Sequence, residues 1–558
     1  MGLEQVRPIR RIGPGSAQKR NHKFNIFPAP VKGLSTSETL VTQDPQTALL
    51  LDNVFIRRYG NETRPGYLRW NSNLGGLGTP SPVLSVMSYY PPRGSGSPFQ
   101  AKLFAACGDG NIYEVQDRHN EAFVPPIAVS IPGQLVPGQF SWTNYATLAT
   151  NFLCICSAGG GYWTYDHVGG WINRTGAITG PGAGAAINFD FIMSWKNRLW
   201  FIQNNTTDAW FLPTNAIAGN ASNFDFGPLF VHGGDLKAMA SWTLDSGAGV
   251  DDKLVIAADS GDVLIYEGTD PVSAATFRIV GRWYTGRPPA GRRFLSKYGG
   301  DLAMVTEVGI EYMSRMIQGH SLLDPQTAED QADVSRRFNE VIGEDVRNTR
   351  NQTSWNIVSL VSEQCIYIVT PHNIRASAYQ YCFATMARGW SRMTKMPMSC
   401  AEEHLSDLYF GTLNGTIHKA FYGESDDELM DGTPGNSIQA DIQTAFIAPN
   451  DERMELKRPL LCMPMFMSSA PPQVKIRINT EWSRVGTPGS PPYAPNADAK
   501  WDLAKWGQAV WGGADNTYLV WTGVDGLGIF MSLRLSLVAA PRTVFTSWKI
   551  VYESGGIM

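Results

Sequence analysis

Histidine and acidic side chains are the first candidates for chemistry, and their spacing argues against a catalytic cluster. The chain of 558 residues has 8 His, none within a few residues of another, so sequence neighbours cannot form a general-base or metal cluster. Four carboxylates fall in predicted turns, where they could supply a glycosidase acid and base: Asp109, Asp259, Asp262 and Glu307. Asp also bonds its own backbone in hairpin loops, which explains Asp109 and Asp262 without catalysis. We expect no catalytic residue and no enzymatic activity.

Cysteine usage and known motifs lead to the same expectation. The 7 Cys contain no CxxC pair, so neither a zinc site nor a disulfide framework is predicted. Cys154 and Cys156 alternate along a predicted strand and should share one buried face. The chain lacks a phosphate-binding GxxxxGK loop, a zinc-binding HExxH pair and a GxSxG nucleophile turn. We therefore expect no metal and no cofactor.

The composition is typical of many short strands. The chain is 43% hydrophobic and only 17% charged, with 56 Gly and 35 Pro, which favours strands joined by turns over charged amphipathic helices. A net charge of −4 argues against a protein that wraps nucleic acid with a basic face. No apolar run is long enough for a membrane span, and no secretory signal follows the N-terminus.

A degenerate hairpin repeat organises the middle of the chain. Each copy has an apolar stretch, a short turn with Gly, Asp or Asn, and a second apolar stretch that usually carries an aromatic residue. The copies occupy 102–115, 152–166, 198–212, 253–268, 301–314, 364–371 with 379–390, and 407–423. Their starts lie roughly 45 to 60 residues apart, which suits one four-stranded propeller blade. Unrelated hairpins in ordinary β-sandwiches remain an alternative, because the repeat has no fixed signature.

The predicted fold is all-β: a six- or seven-bladed β-propeller-like domain, a C-terminal β-sandwich or platform domain, and an extended N-terminal arm. The predicted units are a basic arm (1–30), a segment that joins the platform or closes the propeller (31–78), the propeller (79–425), an acidic and Gly-rich linker (426–436) and the platform domain (437–558). An insertion is predicted around 315–362, with a helix from Ala328 to Ile342. The acidic linker should be exposed, since its spacing does not match a calcium-binding loop.

The arm carries the candidate partner contacts. Its basic residues lie among few apolar groups, a composition that does not fold alone and that could order on a neighbouring subunit or touch a phosphate: Arg7, Arg10, Arg11, Lys19, Arg20 and Lys23. Near the other end, four tryptophans either pack against loops or a subunit or stack on sugar rings: Trp501, Trp506, Trp511 and Trp521.

Several stretches resemble a known family. In 28–41 and 51–70, a Gly-Leu segment precedes an Asn-bearing aliphatic motif and the turn Arg64-Pro65-Gly66. The segments 159–175, 501–512 and 548–558 are similar to a blade and to the C-terminal domain of the same group. The group is the tail nozzle proteins of short-tailed bacteriophages, also called tail tubular protein B or packaged-DNA-stabilising hub proteins.

This resemblance implies a structural role without catalytic residues. It implies a propeller flanked by a β platform built from chain-terminal regions, and a homohexameric ring below the portal and adaptor proteins in the virion tail, assembled in the host cytoplasm. Tail fibres or spikes are further implied partners. Genomic DNA would pass through the lumen of the ring into the host without specific binding. A lumen wall without net basic charge would let the phosphate backbone of the DNA slide past.

Two other functions remain open from the sequence. The 17 Trp and 20 Tyr also suit a carbohydrate- or receptor-binding β-propeller. A tail-borne glycan depolymerase is the third, and it would need the turn carboxylates to converge.

Overall fold

Apolar stretches separated by short Gly-, Asn- and Asp-bearing turns form antiparallel strands over most of the chain. The computed structural model describes residues 22–36, 39–71, 74, 80–92, 101–115, 127–129, 139–180, 184–243, 252–273, 275–285, 289–298, 300–307, 309–317, 336–352, 354–371, 379–429, 432–451, 453, 455–488, 516–538 and 542–557. The N-terminal strands are β1 (His22–Pro28), β2 (Ala48–Asp52), β3 (Val54–Arg57), β4 (Gly60–Thr63) and β5 (Tyr67–Asn71).

The middle of the chain contains most of the strands. The first half has β6 (Val83–Tyr89), β7 (Lys102–Cys107), β8 (Ile112–Val115), β9 (Ile127–Val129), β10 (Ser141–Ala146), β11 (Asn151–Ser157), β12 (Gly161–Asp166), β13 (Gly170–Asn173), β14 (Ile178–Thr179), β15 (Phe189–Trp195), β16 (Arg198–Gln203), β17 (Asp208–Phe211), β18 (Gly219–Asn220) and β19 (Ser222–Asp225). The second half has β20 (Leu236–Trp242), β21 (Lys253–Ala258), β22 (Asp262–Gly268), β23 (Phe277–Tyr284), β24 (Leu295–Tyr298), β25 (Asp301–Thr306), β26 (Gly309–Tyr312), α1 (Met313–Ile317), α2 (Arg336–Thr349), β27 (Asn356–Leu360), β28 (Cys365–Val369), β29 (Tyr379–Ala384), β30 (Gly389–Thr394), β31 (Cys400–His404), β32 (Asp407–Gly411), β33 (Ile417–Ala420) and β34 (Asp426–Glu428). The C-terminal strands are β35 (Ala440–Thr444), β36 (Glu455–Ser468), β37 (Gln473–Thr480), β38 (Asn516–Leu519), β39 (Thr522–Gly523), β40 (Met531–Val538) and β41 (Val544–Ile557).

These strands form a β-propeller. Four blades are consecutive antiparallel meanders, β6–β9, β10–β13, β15–β17 with β19, and β20–β23. The three-stranded sheet β24–β26 follows, and then the blades β27–β30 and β31–β33 with β5. Successive blades contact one another through their inner strands, and β31 returns to contact β6. The predicted six- or seven-bladed all-β fold is confirmed, with six blades of four strands and one three-stranded sheet in the ring.

The N-terminal segment closes this ring. Strand β5 pairs with β33 as the outer strand of the last blade, so residues near opposite ends of the propeller share one sheet. Such a closure lets the outer strand hold the first and last blades together. The N-terminal segment, which precedes the first blade in the sequence, is thus part of the last blade.

Helix α2 covers the predicted helix from Arg336 to Ile342 and continues to Thr349, whereas residues 328–335 lie outside the described residues. The helix contacts β26. Gly343 lies against the carbonyl of Glu307, where a Cβ would come within 2.3 Å of the oxygen, so this close approach requires glycine. In the part of the chain that the structure describes, no helix is long and apolar enough to cross a membrane.

The C-terminal strands form a platform together with the N-terminal ones. Blade β27–β30 continues through β2 into β35, β40 and β37, giving one eight-stranded sheet. A second sheet contains β3, β4, β41, β36 and β38, with β1 on β41 and β39 on β36. The two sheets share a core that includes Leu51, Leu535, Phe466 and Trp548. Both ends of the chain thus build the platform.

A buried ion pair fastens the propeller to this platform. Arg64 is 0% exposed and donates to both carboxylate oxygens of Asp426 at 2.7 and 2.8 Å. Its remaining N–H groups donate to Asn53 Oδ1 at 2.9 Å, to the Pro65 carbonyl and to the Thr394 carbonyl. The Asn53 amide in turn donates to Thr394 and to the carbonyl of Gln439. One network therefore joins the N-terminal motif, a blade and the first residues of the platform.

The acidic segment is consequently not the exposed linker that its composition predicts. Ser425, Asp426 and Glu428 are all buried, and β34 pairs with β5. Asp427, which is partly exposed, bonds His418 at 3.0 Å and pairs with Arg69. The carboxylates are buried because cationic and backbone donors from distant residues satisfy them.

The predicted arm also needs correction for its last residues. Within 1–30, residues 22–28 form β1, which bonds along β41, and Phe27 packs on Trp548 with ring centroids 4.9 Å apart. These main-chain bonds and the buried ring order the segment within the chain, so it does not need a partner to become a strand. Residues 1–21 lie outside the described residues.

Gly66 gives a first testable prediction. A Cβ at this position would lie 1.9 Å from the Ser425 carbonyl oxygen, so Gly66→Ala must push apart the strands that hold Asp426. We expect a loss of about 1–3 kcal/mol of stability and a lower thermal unfolding midpoint of the full chain. Gly176→Ala is the matched control, since its Cβ would meet nothing within 4 Å. Equal midpoints for the two variants would contradict the prediction.

Candidate functional site

Most of the predicted partner-contact residues lie outside the part of the chain that the structure describes. Arg7, Arg10, Arg11, Lys19 and Arg20 lie outside the described residues. Lys23 lies on β1, where its Nζ is 3.5 Å from Glu455 Oε2. Within the described residues, this one member of the basic set therefore forms an ion pair inside the platform sheet.

The four turn carboxylates are each engaged within their own surroundings. Asp109 accepts hydrogen bonds from Tyr113 at 2.5 Å and from the backbone of Asn111. Asp262 accepts a bond from His232, whose ring stacks on Tyr284.

The other two carboxylates hold neighbouring segments. Asp259 accepts the backbone N–H of Asp235, and Glu307 binds Arg350 at 2.8 Å. The structure thus gives all four a role in turn or segment packing.

All seven cysteines are free and buried, as the sequence predicts for core thiols. Cys154 and Cys156 lie in one apolar cluster with Tyr162, which confirms that they share a strand face. Burial raises the pKa of Cys154 to about 12, so this thiol stays protonated at neutral pH. No group of three or more potential metal-ligating side chains occurs within the described ranges.

A cavity of about 180 Å³ lies at one end of the innermost strands of the propeller, near the starts of β10, β15, β27 and β31. We call it the axial cavity. Its lining comes from the blades that start with β6, β10, β15, β27 and β31 and from the segment before β24. The lining residues are Leu84, Gln139, Phe140, Ser141, Ser157, Ala158, Asp190, Phe191, Asn204, Arg292, Arg293, Ser354, Asn356, Ser399 and Cys400. A cavity in which a few polar groups from several elements lie among apolar ones is typical of a ligand site.

Arg293 enters the cavity from the segment before β24. Its guanidinium carbon lies 3.7 Å from the ring centroid of Trp142, a cation–π contact. The same group donates to the Ser85 hydroxyl at 3.2 Å and to the Phe140 carbonyl. Trp142 also hydrogen-bonds Glu402 on β31. The side chain is therefore held rigidly by neighbouring blades.

Arg292 lies beside it and contacts a different blade. It forms an ion pair with the buried carboxylate of Asp190 on β15. It also donates to Asn204 Oδ1 at 2.9 Å. Two arginines that are consecutive in the sequence therefore line one cavity, and one of them is paired with a carboxylate.

The cavity is cationic because its carboxylates do not fully neutralise the two guanidinium groups. Burial lowers the pKa of Arg292 to about 10 and the pKa of Arg293 to about 10, which leaves both charged at pH 7. Desolvation raises the pKa of Glu402 to about 8, although Arg293 acts in the opposite direction. With Glu402 mostly neutral at pH 7, the two guanidinium charges face the single charge of Asp190.

A second feature is the outward surface of the platform. On β1, Phe24 and Ile26 are 61% and 55% exposed, whereas the alternate residues Lys23 and Asn25 are half-buried. Phe24 pairs with Val551, which pairs with the exposed Leu461. The row continues through Met465 to Leu519 on β38.

We call Phe24, Ile26, Leu461, Met467 and Leu519 the platform face. Each of these side chains is at least 39% exposed. Lys549, which pairs with Ile26 and Met463, lies among these side chains, and its Nζ is 4.5 Å from the ring centroid of Phe24. Exposed apolar side chains grouped on one sheet face mark an interaction site more often than scattered apolar residues do.

Sequence reasoning missed both features. The axial cavity unites residues from several blades, and its only local signal is the pair Arg292 and Arg293 in a Gly/Pro-rich segment. The platform face is hidden because alternating apolar residues are expected to point inward. Of the four tryptophans near the C-terminus, Trp501, Trp506 and Trp511 lie outside the described residues, and Trp521 is half-exposed.

No protein-family model and no curated protein matches the chain. Among solved structures, it is similar to a chain from the BBS1N complex with ARL6DN soaked with mercury, with a TM-score of 0.39 and 9% identity over 65% of this chain and 99% of that chain. In the lead-soaked crystal of that complex the match spans 66% of the other chain, just under two thirds of its length.

Two further solved structures have comparable similarity. Saccharomyces cerevisiae Sqt1 has a TM-score of 0.34 and 12% identity over 68% of this chain and 96% of that chain. The Nup133 β-propeller domain of Vanderwaltozyma polyspora has a TM-score of 0.31 and 8% identity over 57% of this chain and 90% of that chain. At these identities the likeness concerns the β-propeller fold alone.

Proposed function

We propose that this chain is a structural subunit of a short phage tail, in which it forms the nozzle or hub ring below the portal and adaptor. The platform face is the observation that carries the proposal. A ring needs a surface on each subunit that another subunit covers, and the apolar side chains of the platform face are exposed in the single chain.

The motifs behind the resemblance support the same proposal. Asn53, Arg64 and Gly66 belong to the quoted motif, and they join the platform to the propeller through Asp426 and Ser425. A propeller flanked by a platform of chain-terminal strands is the architecture that the resemblance implies. In a tail the rigid join would keep neighbouring platforms in register while DNA passes through the lumen.

The decisive measurement is the copy number in purified virus particles. Quantitative mass spectrometry of this chain against the major capsid protein should give about six copies per particle, the value for one closed ring. Absence from the particles, or hundreds of copies, would overturn the proposal.

A carbohydrate- or receptor-binding β-propeller is the second candidate, and the ring of blade sheets is the observation that favours it. Binding of the isolated chain to a panel of neutral glycans would support this function. If the purified chain bound no glycan and the copy number were near six, the ring function would be the one candidate that remains.

A further inference from the structure

Among its described lining residues, the axial cavity has two arginines and one aspartate. Arg292 and Arg293 are consecutive in the sequence, so the backbone keeps their two positive charges in the same region. A buried cation is costly unless charges and hydrogen bonds compensate it. Asp190 compensates one of the two guanidinium groups.

Arg293 has neutral partners at close range. Its partners in the cavity are an aromatic ring, a hydroxyl and a carbonyl. Among the described lining residues the one carboxylate, Asp190, pairs with Arg292. A negatively charged ligand in the cavity would therefore complete the charge balance at Arg293.

We propose that the axial cavity binds a small oxyanion, a carboxylate or phosphate group, between Arg292 and Arg293. Guanidinium groups match the geometry of both oxyanions. The serine hydroxyls and asparagine amides of the lining supply further polar groups around them. This site is independent of the ring contact proposed above.

The cavity has room for a small anion. Its volume of about 180 Å³ is about tenfold the minimum that a single bound water needs. This space admits inorganic phosphate, succinate or the acidic end of a larger molecule.

The charged groups around the cavity predict how binding depends on pH. Arg292, Arg293 and Asp190 line it, while Glu402 and Glu403 lie on the adjoining strand β31. As pH rises through about 8, Glu402 ionises beside Arg293 and competes with the ligand. Both arginines stay mostly protonated until about pH 10. Affinity for a carboxylate ligand that is fully ionised at pH 7 should therefore fall between pH 7 and pH 9.

Isothermal titration calorimetry of the purified full chain tests the proposal, with phosphate, succinate and glucose titrated separately at pH 7 and low salt. We expect one site for phosphate, succinate or both, and no heat of binding for glucose. Phosphate alone would assign a phosphate ligand, and succinate alone a carboxylate. Binding of neither anion would overturn the proposal.

Variants test the assignment to this cavity. Arg292→Gln should weaken oxyanion binding about tenfold or more, since it removes a charge-assisted contact. Arg278→Gln is the matched control, because its side chain is 75% exposed on β23 and also pairs with a carboxylate. Equal oxyanion affinities of the two variants would show that the anion does not bind in the axial cavity.

The pH dependence provides a readout that does not need Arg292→Gln to fold. Succinate keeps its charge between pH 7 and pH 9, so weaker binding at pH 9 reports on the protein. Glu402→Gln should bind succinate with similar affinity at both pH values. Affinity of the wild-type chain that is constant from pH 7 to pH 9 would contradict the role of Glu402.

Discussion

Arg64→Met should lower the stability of the folded chain by about 3–5 kcal/mol, the usual cost of breaking a buried ion pair. Methionine roughly fills the space of the side chain but donates no hydrogen bond. Asp426, 2% exposed, would then keep a buried negative charge without its bidentate partner. The Thr394 carbonyl and Asn53 Oδ1 would each lose the hydrogen bond from Arg64, although Asn53 Oδ1 keeps the one from the Thr394 N–H. Thermal and denaturant unfolding of the full chain measures the loss.

Two comparisons separate the ion pair from a general packing defect. Arg69→Met removes a pair with Asp427 in which the side chains are 38% and 28% exposed, so its cost should be below about 1 kcal/mol. The double variant Arg64→Met/Asp426→Leu removes both charges and should recover much of the loss. A double variant as unstable as Arg64→Met would refute the ion pair as the cause.

The position of this pair explains why the sequence predicted the blades but not the join between domains. Hairpins form from residues close in sequence, so Asp-Gly and Asn-Gly turns with apolar flanks reveal them. Arg64 and Asp426 are separated by 362 positions. Composition alone marks the acidic segment as solvated, because its partner belongs to a motif at the other end of the propeller.

The axial cavity escaped prediction for a related reason. Its residues lie at the starts of strands in several blades, and each position looks ordinary within its own blade. Only the ring arrangement brings Arg292, Asp190 and Asn356 together. The turn carboxylates, which the sequence did single out, are instead used in local hydrogen bonds.

Strand β1 shows how a correct periodicity can still give the wrong face. Its sequence alternates polar Lys23 and Asn25 with apolar Phe24 and Ile26, and a pattern argument would bury the apolar pair. The structure does the reverse, because Phe27 faces inward against Trp548 and sets the orientation of the strand. Phe24 and Ile26 are thus exposed in the single chain, and subunits packed on this face would bury them.

Replacement of two platform-face residues should therefore abolish self-association without unfolding the chain. In Leu461→Thr/Leu519→Thr, the β-branched threonines suit the strands, while about 1–2 kcal/mol of apolar burial is lost per side chain in an interface. The dissociation constant for self-association should rise about a hundredfold or more. Sedimentation velocity over a range of concentrations measures this constant.

The control variant must remove similar apolar groups elsewhere on the surface. Leu148 and Val168 are 95% and 84% exposed in the turns of the blade β10–β13, so Leu148→Thr/Val168→Thr should associate like the wild-type chain. Both double variants should keep the wild-type thermal midpoint within a few degrees, since all four residues are solvent-exposed in the single chain. If the platform variant associates as tightly as the control, the ring contact lies on another surface. If it alone becomes monomeric, the exposed side chains of β36 and β38 are the contact, and their outward orientation is what the ring requires.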